Sequence, residues 1–378
     1  MKIIDRYMLR QFVQTFLICY LSLNGLFIVF DAFTNLDEFL RCAEAEGGLF
    51  KLLGSHYSYQ SIGFFDQSAG LLTLIAAMFT VSWIQRHNEM TALMSAGISR
   101  IRVVSSVIAA AIVITLLAAA NRELVIPRFR QQLARRPQDL IGDRAQPLVP
   151  LYDNKTDVLI RGQNTFGDRK RIHRPDFTLP EGLDQYGGYL VAENAFYKPT
   201  QGDRPGGYLF DNVERPKNLA SRPSLTLNGV PVIITPRDQP DWLEEDQCFC
   251  VSDVPFEQLT GGRAFKKYSS SRQMIAGIAN QSLDFGPDLR VALHSRMVQP
   301  LLDVTLLFLG LPLVVRKETR NVFIAIGLCG AVVSAFSLIV LAFQHLGAMM
   351  IINPALAAWA PLMVFVPVAV GMAHAMWE

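Results

Sequence analysis

Charge is scarce in this sequence: only 18% of its 378 residues are Asp, Glu, Lys or Arg, against about 25% in ordinary soluble domains. The formal net charge is +2, so nothing points to a nucleic-acid partner. No Gly-x-x-x-x-Gly-Lys-Ser/Thr phosphate loop occurs, and the chain therefore carries no ATPase of that kind. His-Glu-x-x-His and Gly-x-Ser-x-Gly are also missing, which removes the common zinc-hydrolase and serine-hydrolase signatures. Cysteines number five. Cys19 and Cys329 lie in apolar runs, where they read as small apolar side chains. Cys248 and Cys250 form a Cys-x-Cys pair without an accompanying His cluster, too little for a metal site. A disulfide from Cys42 to one of that pair stays open if the segment is in an oxidising compartment. No catalytic residue, metal or cofactor is expected.

What the sequence has instead is long apolar runs. Three precede residue 122 and three follow residue 296. A run of about 20 apolar residues spans a bilayer core of about 30 Å as a helix. The expected spans are about Phe12–Phe33, Tyr57–Ile84, Ile101–Ala120, Met297–Val315, Val322–Leu346 and Ala355–Met376. The first lacks a small-residue cleavage site and reads as a retained anchor. Lys2, Arg6 and Arg10 precede it; Arg86, Arg100 and Arg102 flank the second turn; Arg316, Lys317 and Arg320 flank the fourth. The loop after the first span has Asp37, Glu38, Glu44 and Glu46 against Arg41 and Lys51, and the loop 347–354 has no charge. By the positive-inside rule both termini are cytoplasmic and the central insert is periplasmic.

The expected fold class is thus a polytopic α-helical membrane protein of six transmembrane helices (3+3), with an inserted extracytoplasmic all-β, jelly-roll-like domain. The expected division is 1–121, 122–290 and 291–378. Within the insert, Asp157–Arg161, Tyr189–Tyr197, Tyr208–Val213, Ser224–Leu227, Val230–Thr235 and Cys248–Val251 read as strands separated by turn residues. Asn228-Gly229 is the clearest hairpin signal. Arg122–Arg136 reads as a helical extension of the third span. Arg169, Lys170, Arg171 and Arg174 read as a solvated basic loop.

The turn between the second and third spans has its own pattern. Met90, Leu93, Met94 and Gly97 are spaced three or four apart and share one face of a short helix. Gly97 is a natural helix stop, and Ser99 is placed to cap the third span with its side-chain oxygen. Such a helix either lies on lipid or enters a groove on a partner; the pattern leaves both open.

Glu89-Met90-Thr91-Ala92-Leu93 followed by Ala96-Gly97-Ile98-Ser99 resembles the coupling helix of the LptF/LptG family of lipopolysaccharide-export permeases. Ile4-Asp5-Arg6-Tyr7-Met8-Leu9-Arg10 is similar to that family's lead-in, and Val125-Ile126-Pro127 to its exit from the third span. His294-Ser295-Arg296, Gln299-Pro300 and Leu309-Gly310-Leu311-Pro312-Leu313 resemble its fourth span. The resemblance covers nearly the whole chain.

The resemblance implies a permease without catalysis of its own. Its implied partners are a cytoplasmic ABC ATPase, a second permease of the family as hetero- or homodimer, a periplasmic jelly-roll bridge protein, and a membrane lipid or glycolipid as cargo. It implies that Arg86, Glu89, Met90, Leu93, Met94, Gly97 and Ser99 form the ATPase-coupling helix. It also implies a lateral gate between the first and fifth spans, with Asn24, Phe27, Asp31, Asp303, Phe336, Phe343 and His345 as candidate gate or cavity residues. Asp303 has a candidate partner in His345 or Arg296, either as cavity lining or as a structural interhelical contact. One departure stands out: Phe30–Glu38 holds no Lys or Arg where the family's pattern sets cations against lipid phosphates. Either the paired permease supplies them or the cargo is less anionic. An alternative is a mechanotransmission protein that couples an ATPase to a periplasmic partner without moving lipid.

Overall fold

The structure, a computed structural model, describes residues 3–46, 48–135, 145–167, 169–180, 187–202, 204–227, 229–239, 241–260, 263–280, 282–283, 285–316 and 322–377. Lys2, Lys317, Arg320, Asn228 and Arg136, all named above, lie outside these residues. The chain divides into two compact units: residues 1–133 with 286–378, and residues 134–285.

The first unit holds six helices long and apolar enough to cross a membrane. They belong to α1 (Ile3–Thr34), α3 (Leu49–Arg86), α5 (Arg100–Ala120), α10 (Gly286–Arg316), α11 (Val322–Ala348) and α12 (Pro354–Trp377). All six contribute to one apolar core, from Met8 and Phe12 of α1 to Leu311 of α10, Phe336 of α11 and Leu362 of α12. Short polar side chains inside the helices bond their own backbone, as Thr80 Oγ1 does to Ala76 O and Thr115 Oγ1 to Ala111 O. That satisfies hydroxyls where no water can.

One detail departs from the sequence reading and another follows it. The segment after the first span is not an open loop: α2 (Leu36–Glu46) is an amphipathic helix that buries Phe39 and Cys42 and packs on α3. The third span continues beyond Ala120, as the helical reading of the segment after Arg122 expects. Its helix winds through a π turn at Asn121–Val125 and a 3₁₀ turn at Ile126–Phe129 into α6 (Arg130–Ala134). Pro127, which lacks a backbone donor, sits in that 3₁₀ turn.

The second unit is an inserted antiparallel β domain. Its sheet order is β1-β4-β5-β6-β7-β10-β9-β8, with β3 pairing both β2 and β5. The six strands expected from the sequence correspond to β3 (Val158–Ile160), β6 (Tyr189–Lys198), β7 (Gly207–Arg215), β8 (Leu225–Leu227), β9 (Val230–Ile234) and β10 (Cys248–Val251). Leu227 pairs with Val230 and Gly229 has φ +80°, the geometry of a two-residue hairpin. The strands β1 (Gln146–Pro147), β2 (Leu151–Asp153), β4 (Gly162–Phe166) and β5 (Arg171–Thr178) are additional.

The assignment of a basic loop is corrected by β5, which contains Arg171 and Arg174 and pairs with β4 and β6. Inward-facing residues change parity along it, from Ile172 to Pro175 and Phe177, and Arg174 between them has φ +46°. That switch breaks the period-2 alternation by which a strand is read. Arg171 lies over the Phe166 ring and Lys170 over Tyr197. The last part of the insert is helical: α7 (Phe256–Leu259), α8 (Arg263–Tyr268) and α9 (Ser271–Ala279). A full capping box starts α9, Ser270 accepting from Gln273 N and Gln273 Oε1 accepting from Ser270 N.

The domain core is aromatic. Phe177 meets Phe210 and Tyr208 edge-on at centroid distances of 4.8 and 5.6 Å, and the Tyr208 hydroxyl donates to Val254 O at 2.8 Å. Strand β10 is buried on both faces. Cys248 and Cys250 point into this core, while Phe249 and Val251 pack with Leu243 and Trp242. No disulfide forms among the described residues: Cys248 and Cys250 are buried thiols, and Cys42 is a thiol on α2. Burial pushes both β10 thiols well above the ordinary cysteine range.

Candidate functional site

The turn expected to be a short helix is one: α4, Glu89–Ser95, between α3 and α5. It is bounded on both sides by left-handed residues, Asn88 (φ 58°) and Gly97 (φ +79°). At its end Ile98 N donates to Leu93 O and Gly97 N to Met94 O. This is a Schellman closure, whose left-handed position is suited to glycine. Ser99 occupies the N-cap of α5 but its side chain makes no capping bond; its carbonyl, not its hydroxyl, accepts from Arg102 N. That corrects the expected cap.

The apolar face of α4 is split between two environments. Met90 is buried in the helical core with Leu93 packed against the same core, so Met90 is not free to enter a partner. Met94 is exposed, its sulfur accepting from Arg100 Nε at 3.2 Å. Arg86, Ala92, Ser95 and Gly97 are exposed beside it. The surface presented at this turn consists of Arg86, Met94 and the outer edge of Leu93, over the anchored Met90.

Polar contacts that the spacing did not disclose tie this turn to both halves of the unit. The Tyr7 hydroxyl donates to Glu89 Oε2 at 2.9 Å. Asp5 pairs with Arg102 at 2.8 Å and accepts from Ser106 Oγ at 3.1 Å. On the other side, Gln85 Nε2 donates to the carbonyls of Val314 and Val315, both at 3.3 Å, at the end of α10. Those carbonyls are among the last of the helix, which have no partner within it.

Most of the expected gate residues have their own close partners. Asn24 is buried and donates to Ser61 Oγ at 3.0 Å, Phe27 stacks on Phe64 at 5.3 Å, and Asp31 accepts from the Tyr57 hydroxyl at 2.8 Å. All three therefore face α3. Phe336 of α11 is buried against Phe365 of α12 at 4.7 Å, Phe343 is half-buried and His345 exposed. Among the described residues α1 packs on α2, α3 and α5, and α11 on α3, α10 and α12.

Asp303 accepts from Gln299 Nε2 at 2.9 Å, one turn earlier on α10, and a Cβ at Gly70 of α3 would run into its carboxylate. The expected partners Arg296 and His345 give way to Gln299. A close ion pair in this part of the unit joins Arg122 to Asp66, at 2.9 Å and largely shielded. The charges of Glu123 and Arg296 act on the same pair. About 30 Å of helix separates Asp66 from Arg86, Arg122 from Arg100, and Arg296 from Arg316, so these groups lie at similar depth. The one sequence signal for them was an aspartate inside an apolar run. Among the described residues no group of His, Cys, Asp and Glu is arranged to hold a metal ion.

A protein-family model described as lipopolysaccharide export system permease LptF/LptG matches residues 6–171 and 192–374. The match takes in the helices, the α4 turn and most of the β domain, and the chain belongs to that family. Comparison with individual curated proteins finds no match.

Proposed function

We propose that this LptF/LptG-family permease is one of two membrane subunits driven by a separate cytoplasmic ABC-type ATPase. The family assignment makes the chain a transport permease, not itself an enzyme, working in lipopolysaccharide export as a multi-pass protein of the bacterial inner membrane. The finer reading is that the pair extracts lipopolysaccharide or a related glycolipid from the membrane and passes it to a periplasmic jelly-roll bridge. Both termini are cytoplasmic and the β domain periplasmic, a reading supported by the basic residues at the α3–α5 turn and in the first turns of α1.

The observation that carries the reading is the build of α4. It is a short helix between two left-handed joints, with Met94 and Arg86 exposed and Met90 anchored in the core. Such an element can be displaced as a unit by a partner that grips its exposed side. Gln85, in the last turn of α3, ties the same turn to the end of α10, so the part of the displacement that passes the Asn88 joint reaches the second three-helix half. The lateral gate is then completed by a second permease, since α1 and α11 of one copy pack elsewhere. The same second permease supplies cations for the lipid phosphates, because the end of α1 in this chain has none and Asp31 is engaged by Tyr57.

The test is purification of the tagged chain from its own membrane, in wild-type form and with Glu89→Lys or Leu93→Asp. The expected outcome is an ABC-type ATPase retained by the wild type and lost, with its lipopolysaccharide-stimulated hydrolysis, from both variants. Retention of the ATPase at the wild-type hydrolysis rate in both variants would falsify docking at α4.

A further inference from the structure

The two halves of α1 are held in different ways. Met8, Phe12 and Phe16 sink into the membrane core, but beyond Phe16 the one buried residue of the helix is Asn24. Leu17, Leu21, Leu26, Val29 and Phe30 are exposed. The polar contacts of this second half run to α3 through single side chains: Tyr20 to Ser61 O, Asn24 to Ser61 Oγ, and Asp31 with Tyr57. The helix contains no proline and runs unbroken from Ile3 to Thr34. That is about 48 Å of continuous rod, firmly seated at one end and lightly tethered at the other.

The seated end is also where the coupling turn is grasped. Glu89 opens α4, and its carboxylate is held by Tyr7; Arg102 and Ser106 open α5, and both bind Asp5. The backbone route out of α4 passes through left-handed joints at Asn88 and Gly97. Such joints interrupt a helix, so a push on α4 is partly absorbed before it reaches α3 or α5. The side-chain ties to α1 bypass them.

Building on the docking role proposed above, we propose that Asp5 and Tyr7 are positioning residues that make α1 the lever of the coupling site. A displacement of α4 and the start of α5 is delivered through Glu89–Tyr7 and Arg102/Ser106–Asp5 to the amino-terminal turn of α1. Because the rod is continuous, its lightly tethered far half moves with it. That half carries Asn24, Phe27 and Asp31, so Asp31–Tyr57 and Asn24–Ser61 are the contacts that break in the stroke.

The experiment uses the full complex purified with its own ATPase and placed in lipid nanodiscs. Spin labels at Phe30→Cys and Lys51→Cys, in a background with Cys19 and Cys42 replaced by Ala, report the separation of the far end of α1 from α3. Distances are measured without nucleotide and with ATP trapped by vanadate, alongside ATP hydrolysis and transfer of lipopolysaccharide to an acceptor. Tyr7→Phe and Asp5→Asn are expected to keep the ATPase bound and hydrolysing within about twofold of wild type. Both should cut the nucleotide-dependent distance change and lipid transfer at least fivefold. The exchanged pair Asp5→Arg with Arg102→Asp should recover most of the change, which a general loss of folding would not allow. An undiminished distance change in both single variants overturns the lever. So does failure of the exchanged pair to recover when both single variants are well folded. Absence of an ATPase from the unmutated chain overturns the docking reading itself, a result visible before any variant is made.

Discussion

The β domain and the helical unit bury apolar residues by opposite rules. In the β domain the large apolar side chains turn inward around Phe177, Tyr208 and Phe210, and few large ones are exposed, Val149, Tyr152 and Tyr189 among them. In the helical unit whole faces of α1 and α11 remain uncovered, with Leu21, Phe30, Leu338 and Leu341 exposed. Water drives the first arrangement by the cost of apolar surface. Lipid exerts no such drive between helices, so packing there depends on close fit and on polar contacts. The exceptional residues in the helical unit are therefore its shielded polar groups: the buried Asn24 and the half-buried Asp66, Arg122 and Asp303.

The largest effect that sharpens this contrast is at the centre of the β domain. Phe177→Ala is expected to cost about 3–5 kcal/mol, while Leu21→Ala on the lipid-facing side of α1 should change stability by less than about 0.5 kcal/mol. Urea titration of the full chain in detergent, followed by protease resistance of the β domain and of the helical core, separates the two. Comparable losses would contradict the opposed rules.

Next is the shielded ion pair. Arg122→Ala leaves Asp66 without its close cation, a loss of about 3 kcal/mol. The neutral pair Asp66→Asn with Arg122→Gln should recover most of it, since the penalty comes from an uncompensated charge. Thermal denaturation in detergent reads both. A double variant as weak as the single one would mean that charge itself is required.

A smaller effect distinguishes two glycines on the same kind of helix. A Cβ at Gly70 collides with the Asp303 carboxylate, whereas one at Gly25 meets nothing within 4 Å. Gly70→Ala is expected to destabilise by about 1–3 kcal/mol, and Gly25→Ala to be neutral or stabilising by up to about 1 kcal/mol. Equal melting shifts would refute the close approach of α3 and α10.

The smallest effect is a pH dependence confined to the β domain. Burial raises Cys248 and Cys250 above the ordinary thiol value of 9.0, so the folded domain keeps them protonated while the unfolded chain would ionise. Their stabilising contribution is complete below about pH 9 and falls as pH rises further, by at most about 1.4 kcal/mol per thiol for each pH unit. Below pH 9 the same thiols should resist maleimide until the domain is unfolded. Rapid labelling of the native chain at pH 8 would show that β10 is not buried on both faces.

Much of the architecture was legible because it rests on short-range rules. Apolar runs of sufficient length mark the spans, and Gly97 marks the end of α4 since its left-handed position follows from local helix closure. Strand β5 was illegible because the change of inward parity at Arg174 removes the alternation that would reveal it. The helices at 256–279 offered one local sign, the Ser270–Gln273 box, in a segment for which no element was read. At the candidate site, Met90, Leu93 and Met94 were placed on one helix face by spacing. Their division into core and surface depended on what α4 packs against, which spacing does not contain.

By itself, then, the sequence determined a six-span chain with a β insert and a short helix at the α3–α5 turn, since length, hydropathy and glycine placement act over a few residues. Only the tertiary structure decided that Tyr7 grips Glu89 across 82 positions, that Gln85 reaches the end of α10, and that Asp303 bonds Gln299 instead of Arg296 or His345. Those outcomes are set by which helix faces meet, and directional bonds of about 3 Å form only once packing has brought their partners together.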